Sequence, residues 1–252
     1  MPYRRLPNTD KARLRAIRNA IDTADKESIN NIPFDTTLLS KLQTFYPLFE
    51  TATLNQKQAI KDQNNNSKKY IKAVDNAKLY LQHFIQVYNF AVIRHEIKPV
   101  TRSLYGLDQT NTKLPSINSD KDLLYWGEKY IEGEQQRIAQ RGNPIYSPSI
   151  AVVKVRFELF KDLYFSHNTY KKNTLRFSEE VLRLRGEADQ YILRLWNDIE
   201  GYFSKLSADR KRERASLYGV VYVYRPNERA KIESNKKQCK LNILDESVMV
   251  DV

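Results

Sequence analysis

An all-α fold is the prediction from this sequence, and spacing, glycine usage and a late change of character carry it. Apolar residues recur at steps of three and four through most of the 252 residues. Glycine occurs only 7 times, about 3% against the ~7% of average usage, so few helices are interrupted. After Gly219 the character changes: Val220, Val221, Tyr222, Val223 and Tyr224 are β-branched or aromatic, which predicts a short strand or extended arm closed by Pro226. Hydrophobic residues make up 41% and charged residues 29%, enough for a core and inconsistent with a mainly disordered chain.

The first helix starts with Asn8 or Thr9 as N-cap, carries the stripe Leu14, Ile17, Ile21 and Ala24, and ends before Pro33. A second, over 36–62, has Asp35 as N-cap and the stripe Leu38, Leu42, Phe45, Phe49, Ala52. Pro47 inside it predicts a kink or restart near Tyr46. Asn64, Asn65, Asn66 and Ser67 predict a turn, with Ser67 capping a third helix over 68–98 that stops at Pro99. A fourth is bounded by Ser119 with Asp122 and by Gly142 with Pro144. Ser147-Pro148 has the form of an N-cap with proline at N1, opening a fifth helix over 148–176, and Ser178 restarts a sixth over 178–206.

The two halves resemble each other. A shift of 115 places Leu38, Leu42, Phe45 and Phe49 on Val153, Phe157, Phe160 and Tyr164. A shift of 111 places Tyr70, Ala73, Ala77, Tyr80 and Phe84 on Val181, Leu184, Ala188, Tyr191 and Leu195. Ser103-Leu104-Tyr105-Gly106 recurs as Ser216-Leu217-Tyr218-Gly219, preceded by Arg102 and Arg214. The expectation is a duplicated helical hairpin forming a four-helix bundle, with two accessory helices and a short extended C-terminal arm. Its parts are a basic N-terminal helix (1–34), the bundle (35–220) and the arm (221–252). Within the bundle, repeat 1 is 35–107, a linker with an accessory helix is 108–146, and repeat 2 is 147–220. Both repeated glycines are expected in the left-handed conformation, with Tyr105 and Tyr218 against the bundle. In this register Lys78 corresponds to Asp189, a candidate structural pair across the bundle, the alternative being that both sit at the seam edge and reach solvent.

Catalytic and metal signatures fail in turn. Gly-rich phosphate loops and G-x-S-x-G elbows are absent. The residues three before His83, His95 and His167 are Tyr80, Val92 and Tyr164, so the Glu-x-x-His pairs of di-metal bundles are missing. His95-Glu96 is followed by Ile97-Lys98-Pro99, not by the second histidine of a zincin. His167 reads as a core or boundary histidine. The single cysteine, Cys239, follows Lys236 and Lys237 in a polar stretch and reads as incidental. The expectation is no catalytic residue, no metal and no cofactor.

Charge carries the remaining signal. The formal net charge is +12, with +5 in residues 1–20 and +7 in 205–240. Arg4, Arg5, Arg13, Arg15 and Arg18 at one end, and Arg210, Lys211, Arg212 and Arg214 at the other, are the candidate polyanion contacts. Tyr218, Tyr222 and Tyr224 interleave there to stack on bases. No stretch reaches the ~20 apolar residues of a membrane span. The basic opening is followed by Asn-Thr-Asp-Lys rather than an apolar run, unlike a secretory signal, so a cytoplasmic location is expected. The opening Met1-Pro2-Tyr3-Arg4-Arg5-Leu6-Pro7-Asn8-Thr9-Asp10 resembles the start of an uncharacterised family of bacterial all-helical proteins, a resemblance that implies no activity and no site. The expected function is a non-enzymatic helical-bundle interaction or scaffold module with a protein partner or self-association. The alternative is binding of nucleic acid or another polyanion through the two basic ends.

Overall fold

The computed structural model describes residues 2–225 and 228. In chain order its elements are strand β1 (Tyr3–Arg4), helices α1 (Asp10–Ala24), α2 (Thr36–Ile93), α3 (Asp120–Ala139), α4 (Ile150–Tyr202) and α5 (Ala208–Leu217), and strand β2 (Tyr222–Val223). Short 3-10 turns occupy Ile29–Asn31, Pro99–Tyr105 and Phe203–Lys205. The fold is all-α apart from one two-stranded ladder.

Helix starts follow local hydrogen-bond chemistry. Thr9 has extended backbone and its side chain accepts the Ala12 N–H at 3.2 Å. Ser119 and Asp122 form a reciprocal capping box, with bonds of 3.1 and 3.0 Å. Asp35 accepts the Thr37 N–H at 3.1 Å ahead of α2.

Three expected interruptions are overturned. α2 runs through Pro47, which is exposed, and through Asn64–Ser67 without a turn; α4 runs through Ser178. Two unbroken helices of 58 and 53 residues therefore replace the two expected hairpins. An asparagine costs a helix only about half a kcal/mol relative to alanine, and the burial of Tyr70, Ala73 and Ala77 just beyond outweighs it. Ser178 caps nothing; its hydroxyl accepts from Gln56 Nε2 at 3.2 Å. Two boundaries also move. α2 ends at Ile93 because His95 turns left-handed (φ 61°), and Glu96 and Ile97 both donate to the Ala91 carbonyl. α4 begins at Ile150, where the Ser149 carbonyl accepts from Val152 and Val153, so Pro148 is not its first residue. Helix α5 was not predicted; Ala215 is its one buried side chain, so it has no apolar stripe.

The chain divides into two compact units, Met1–Gln56 with Ser178–Val252 and Lys57–Phe177. In unit 1 the parts of α2 and α4 run antiparallel: Phe45 meets Tyr191 with ring centroids 5.1 Å apart, and Asp35 lies 4.0 Å from Arg194. α1 adds Ala16, Ile17 and Ala20 to their core, and Ala215, Tyr218 and Val220 close it. β1 pairs antiparallel with β2, Tyr3 opposite Val223 and Arg4 opposite Tyr222. In unit 2 the other parts of α2 and α4 are again antiparallel: Tyr70 stacks near Phe160 and His167, Arg156 lies over the Tyr80 ring, and Thr174 Oγ1 donates to the Ala59 carbonyl. α3 adds Leu123 and Tyr130, and Gly127 admits the Phe157 ring where a Cβ would come within 2.1 Å.

The repeated tetrapeptides form the expected corners. Gly106 and Gly219 have φ of 69° and 88°, and Tyr105 and Tyr218 are buried. A Cβ on Gly219 would stand 2.8 Å from the Ala16 carbonyl oxygen, whereas one on Gly106 meets nothing nearer than 3.8 Å. Gly106→Ala is therefore expected to cost about 1 kcal/mol and Gly219→Ala about 2–3 kcal/mol. Urea denaturation of the two variants checks the order. The expected arm at 221–252 is described only through the β2 ladder and its flanks; residues 226, 227 and 229–252, including Cys239, lie outside the described residues.

Candidate functional site

All nine basic candidates belong to unit 1, and four have carboxylate partners. Arg4, set by the β1–β2 ladder, donates to Asn197 at 2.8 Å and to Glu200 at 3.1 Å. Arg13 makes a bidentate pair with Asp189 at 2.7 and 3.0 Å and lies 3.5 Å from Asp10. Arg18 lies 4.0 Å from Asp22 and over the Tyr46 ring, and Arg212 pairs with Asp209. Arg5, Arg15, Arg210, Lys211 and Arg214 have no ion pair among the described residues. Arg210 and Arg214 share a shallow cavity of about 680 Å³ with Lys205, Tyr202 and Glu213.

Arg5 and Arg15 line one cavity of about 260 Å³. The ladder sets Arg5, whose N–H donates to the Val221 carbonyl at 2.9 Å. Arg15 stands on the exposed side of α1, flanked in the cavity wall by Ala12, Ala16 and Asn19. Asn8 and Ser216 add neutral polar groups, and Leu6, Pro7, Val220 and Val223 make the apolar remainder. No Asp or Glu is among the described residues of this wall. Trp196 belongs to it as well, fully buried, and its indole N–H finds no acceptor among the described residues. A buried donor left without a partner costs about 1–3 kcal/mol. Two guanidinium groups beside neutral donors in an apolar concavity suit an anion, because charge-assisted bonds to guanidinium are strong and directional.

Unit 2 has a polar cluster of another kind. Glu134 is completely buried, pairs with Arg137 through two bonds of 2.8 Å, and accepts the Tyr105 hydroxyl and the Ile145 N–H. Arg137 also donates to Tyr105 Oη and to the Asn143 carbonyl. Arg102, equally buried, donates to the carbonyls of Asp108 and Asn111 and to Asn89 Oδ1. Burial pushes the Tyr105 hydroxyl well above its ordinary range, and the Glu134 carboxylate adds to the shift. With these donors and acceptors matched to one another, the cluster ties the segments after residues 105 and 139 to the core.

Lys78 and Asp189 do not meet as a pair. Lys78 Nζ donates to the Asn118 carbonyl at 3.0 Å, just ahead of α3 in unit 2, and Asp189 is held by Arg13 in the first turns of α1 in unit 1. Each therefore anchors the start of the short helix of its own unit. His167 stacks on Tyr70 at 4.5 Å, and no group of three or more His, Cys, Asp or Glu among the described residues is placed to hold a metal ion. No helix among them is long and apolar enough to cross a membrane.

Among the exposed apolar side chains of unit 2, five can be placed in one group. Leu79, Tyr146 and Val152 line a cavity of about 450 Å³, and Val155 and Leu159 continue the α4 stripe at the third and seventh residues beyond Val152. Tyr146 is 82% exposed and Val155 64%. From sequence, Trp196 reads as core and Tyr146 as loop. The signals for them were a donor-bearing ring on an otherwise aliphatic seam and an aromatic ring in a polar turn. A scan of protein-family models, a search of curated proteins and a search of solved structures each return no match to this chain.

Proposed function

We propose that the protein is a non-enzymatic helical module that works by docking onto protein surfaces, with a second copy of itself as the first partner to test. The supporting observation is the patch of Leu79, Tyr146, Val152, Val155 and Leu159, because apolar side chains grouped on a surface mark interaction sites where scattered ones do not. Tyr146 supplies the amphipathic ring that dominates many interfaces. Sedimentation across a concentration series tests the reading. Tyr146→Ser with Val155→Asp is expected to weaken association about tenfold or more while leaving the melting temperature unchanged, since both side chains are exposed. A wild-type protein that stays monomeric to about 100 μM, already a weak affinity, removes self-association.

Binding of nucleic acid or another polyanion is the second reading. Arg210, Lys211 and Arg214 on one short helix, without ion pairs among the described residues, support it. We also infer that the two halves of the sequence descend from one duplicated segment, each unit being built from parts of both copies. Gly219 faces Ala16 and Asn19 of α1, and Gly106 faces Trp126 and Lys129 of α3, so two helix positions one turn apart meet the corner in each. The duplicated segment is then a short helix, a long helix and a closing corner, rather than a hairpin.

A further inference from the structure

We propose that the unit 1 cavity lined by Arg5, Arg15 and Trp196 is a binding site for a small organic phosphate monoester. This goes beyond protein docking and uses a different surface. Charge selects the class. Two guanidinium groups with no ion pair among the described residues, and no carboxylate among those of the wall, match a dianion. Lone phosphate would use only the polar side, whereas Leu6, Pro7, Ala12, Ala16 and Val220 offer an apolar side for a carbon skeleton. A volume of about 260 Å³ holds a phosphoryl group with one ring or a short chain.

One further observation narrows it. The flanking arginines are already committed: Arg4 to Glu200, Arg13 to Asp189, Arg18 to Asp22. A polymer's phosphate backbone engages a track of available cations, and here three neighbouring arginines are withdrawn from it. One phosphoryl group requires only Arg5 and Arg15.

Phenyl phosphate is the probe, titrated into the full chain carrying Trp126→Phe so that Trp196 is its only tryptophan. Saturable quenching with matching calorimetric heat, at a Kd of about 0.1 mM, is expected. Arg5→Gln and Arg15→Gln should each weaken binding about tenfold. Arg18→Gln, outside the wall, should leave it unchanged. Phenol, lacking the phosphoryl group, should not bind, and inorganic phosphate should bind less tightly than the ester. Both arginines are exposed, so the variants should keep the wild-type melt. The proposal is overturned if phenyl phosphate gives no saturable response, if Arg15→Gln binds as wild type, or if phenol binds as well as its ester. It is equally overturned if an oligonucleotide binds with steep salt dependence while the ester does not. Val155→Asp tests the docking surface separately, since it should not alter ester binding.

Discussion

Glu134→Leu alone is expected to destabilise unit 2 by about 3–5 kcal/mol, because it strands the Arg137 guanidinium in a site where both side chains are buried. Glu134→Leu with Arg137→Met should cost markedly less. Removing both charges abolishes the desolvation penalty and leaves only unpaired neutral groups, chiefly the Tyr105 hydroxyl and the Ile145 N–H, at about 1–3 kcal/mol. Tyr105→Phe added to the pair removes the hydroxyl as well and should recover more. Urea denaturation followed through Trp126, in a Trp196→Phe background, reports unit 2 directly. A single variant no less stable than the double would show that water reaches Arg137 and that the pair is not a closed one. Hydrogen exchange gives a second measure: losing Arg137 should expose the segment at 140–149, whose Asn143 carbonyl it holds.

What sequence reveals here divides by range. Caps are local, and Thr9, Asp35 and the Ser119–Asp122 box are legible because their partners lie two or three residues away. The corner glycines are legible for the same reason: Leu-Tyr-Gly is a local stop, and its recurrence shows that the stop is used twice. Helix continuity is not local. The run of asparagines at 64–66 reads as a turn by propensity, and only packing of the flanking residues against α4, about a hundred residues on, overrides it. The site divides in the same way. Arg5 and Arg15 are visible as charges, but the withdrawal of Arg13 from the patch depends on Asp189, 176 residues distant. Glu134 and Arg137 at helical spacing resemble any surface pair. The clue to their burial is Gly133 beside them, where a Cβ would stand 2.7 Å from the Leu104 carbonyl oxygen, and a glycine inside a helix marks such close approach.

Alkaline unfolding should begin in unit 2. Tyr70, Tyr88, Tyr105 and Tyr130 are buried there, and burial is the main reason their hydroxyls titrate above the ordinary tyrosine value. Unit 1 has Tyr218, pushed up to about 12 by burial, the half-buried Tyr222, raised by burial and by its bond to Glu200, and Tyr46, raised by burial and by its bond to Glu50. A tyrosine is neutral when protonated, so a folded value above the unfolded one means that the native state binds more protons once the pH exceeds about 10. Stability is therefore unaffected by these groups below about pH 10 and falls as pH rises beyond it, by about 1.4 kcal/mol per pH unit for each fully buried tyrosine. Tyr70, Tyr105 and Tyr130, the three raised furthest, place the loss for unit 2 at about 4 kcal/mol by pH 11, close to the whole stability of a marginal domain. Trp126 and Trp196 lie in different units, so the two single-tryptophan variants report the transitions separately, and a further rise in phenolate absorbance, beyond that of the solvent-exposed tyrosines, should accompany the unit 2 transition. Tyr130→Phe sharpens the test. Its hydroxyl has no hydrogen-bond partner among the described residues, so the variant should keep or gain stability at neutral pH while shifting the alkaline midpoint upward. A phenolate signal near pH 10 that Tyr130→Phe lowers by one tyrosine while both units are still folded would show that this hydroxyl reaches water, and would exclude burial as the source of the alkaline limit.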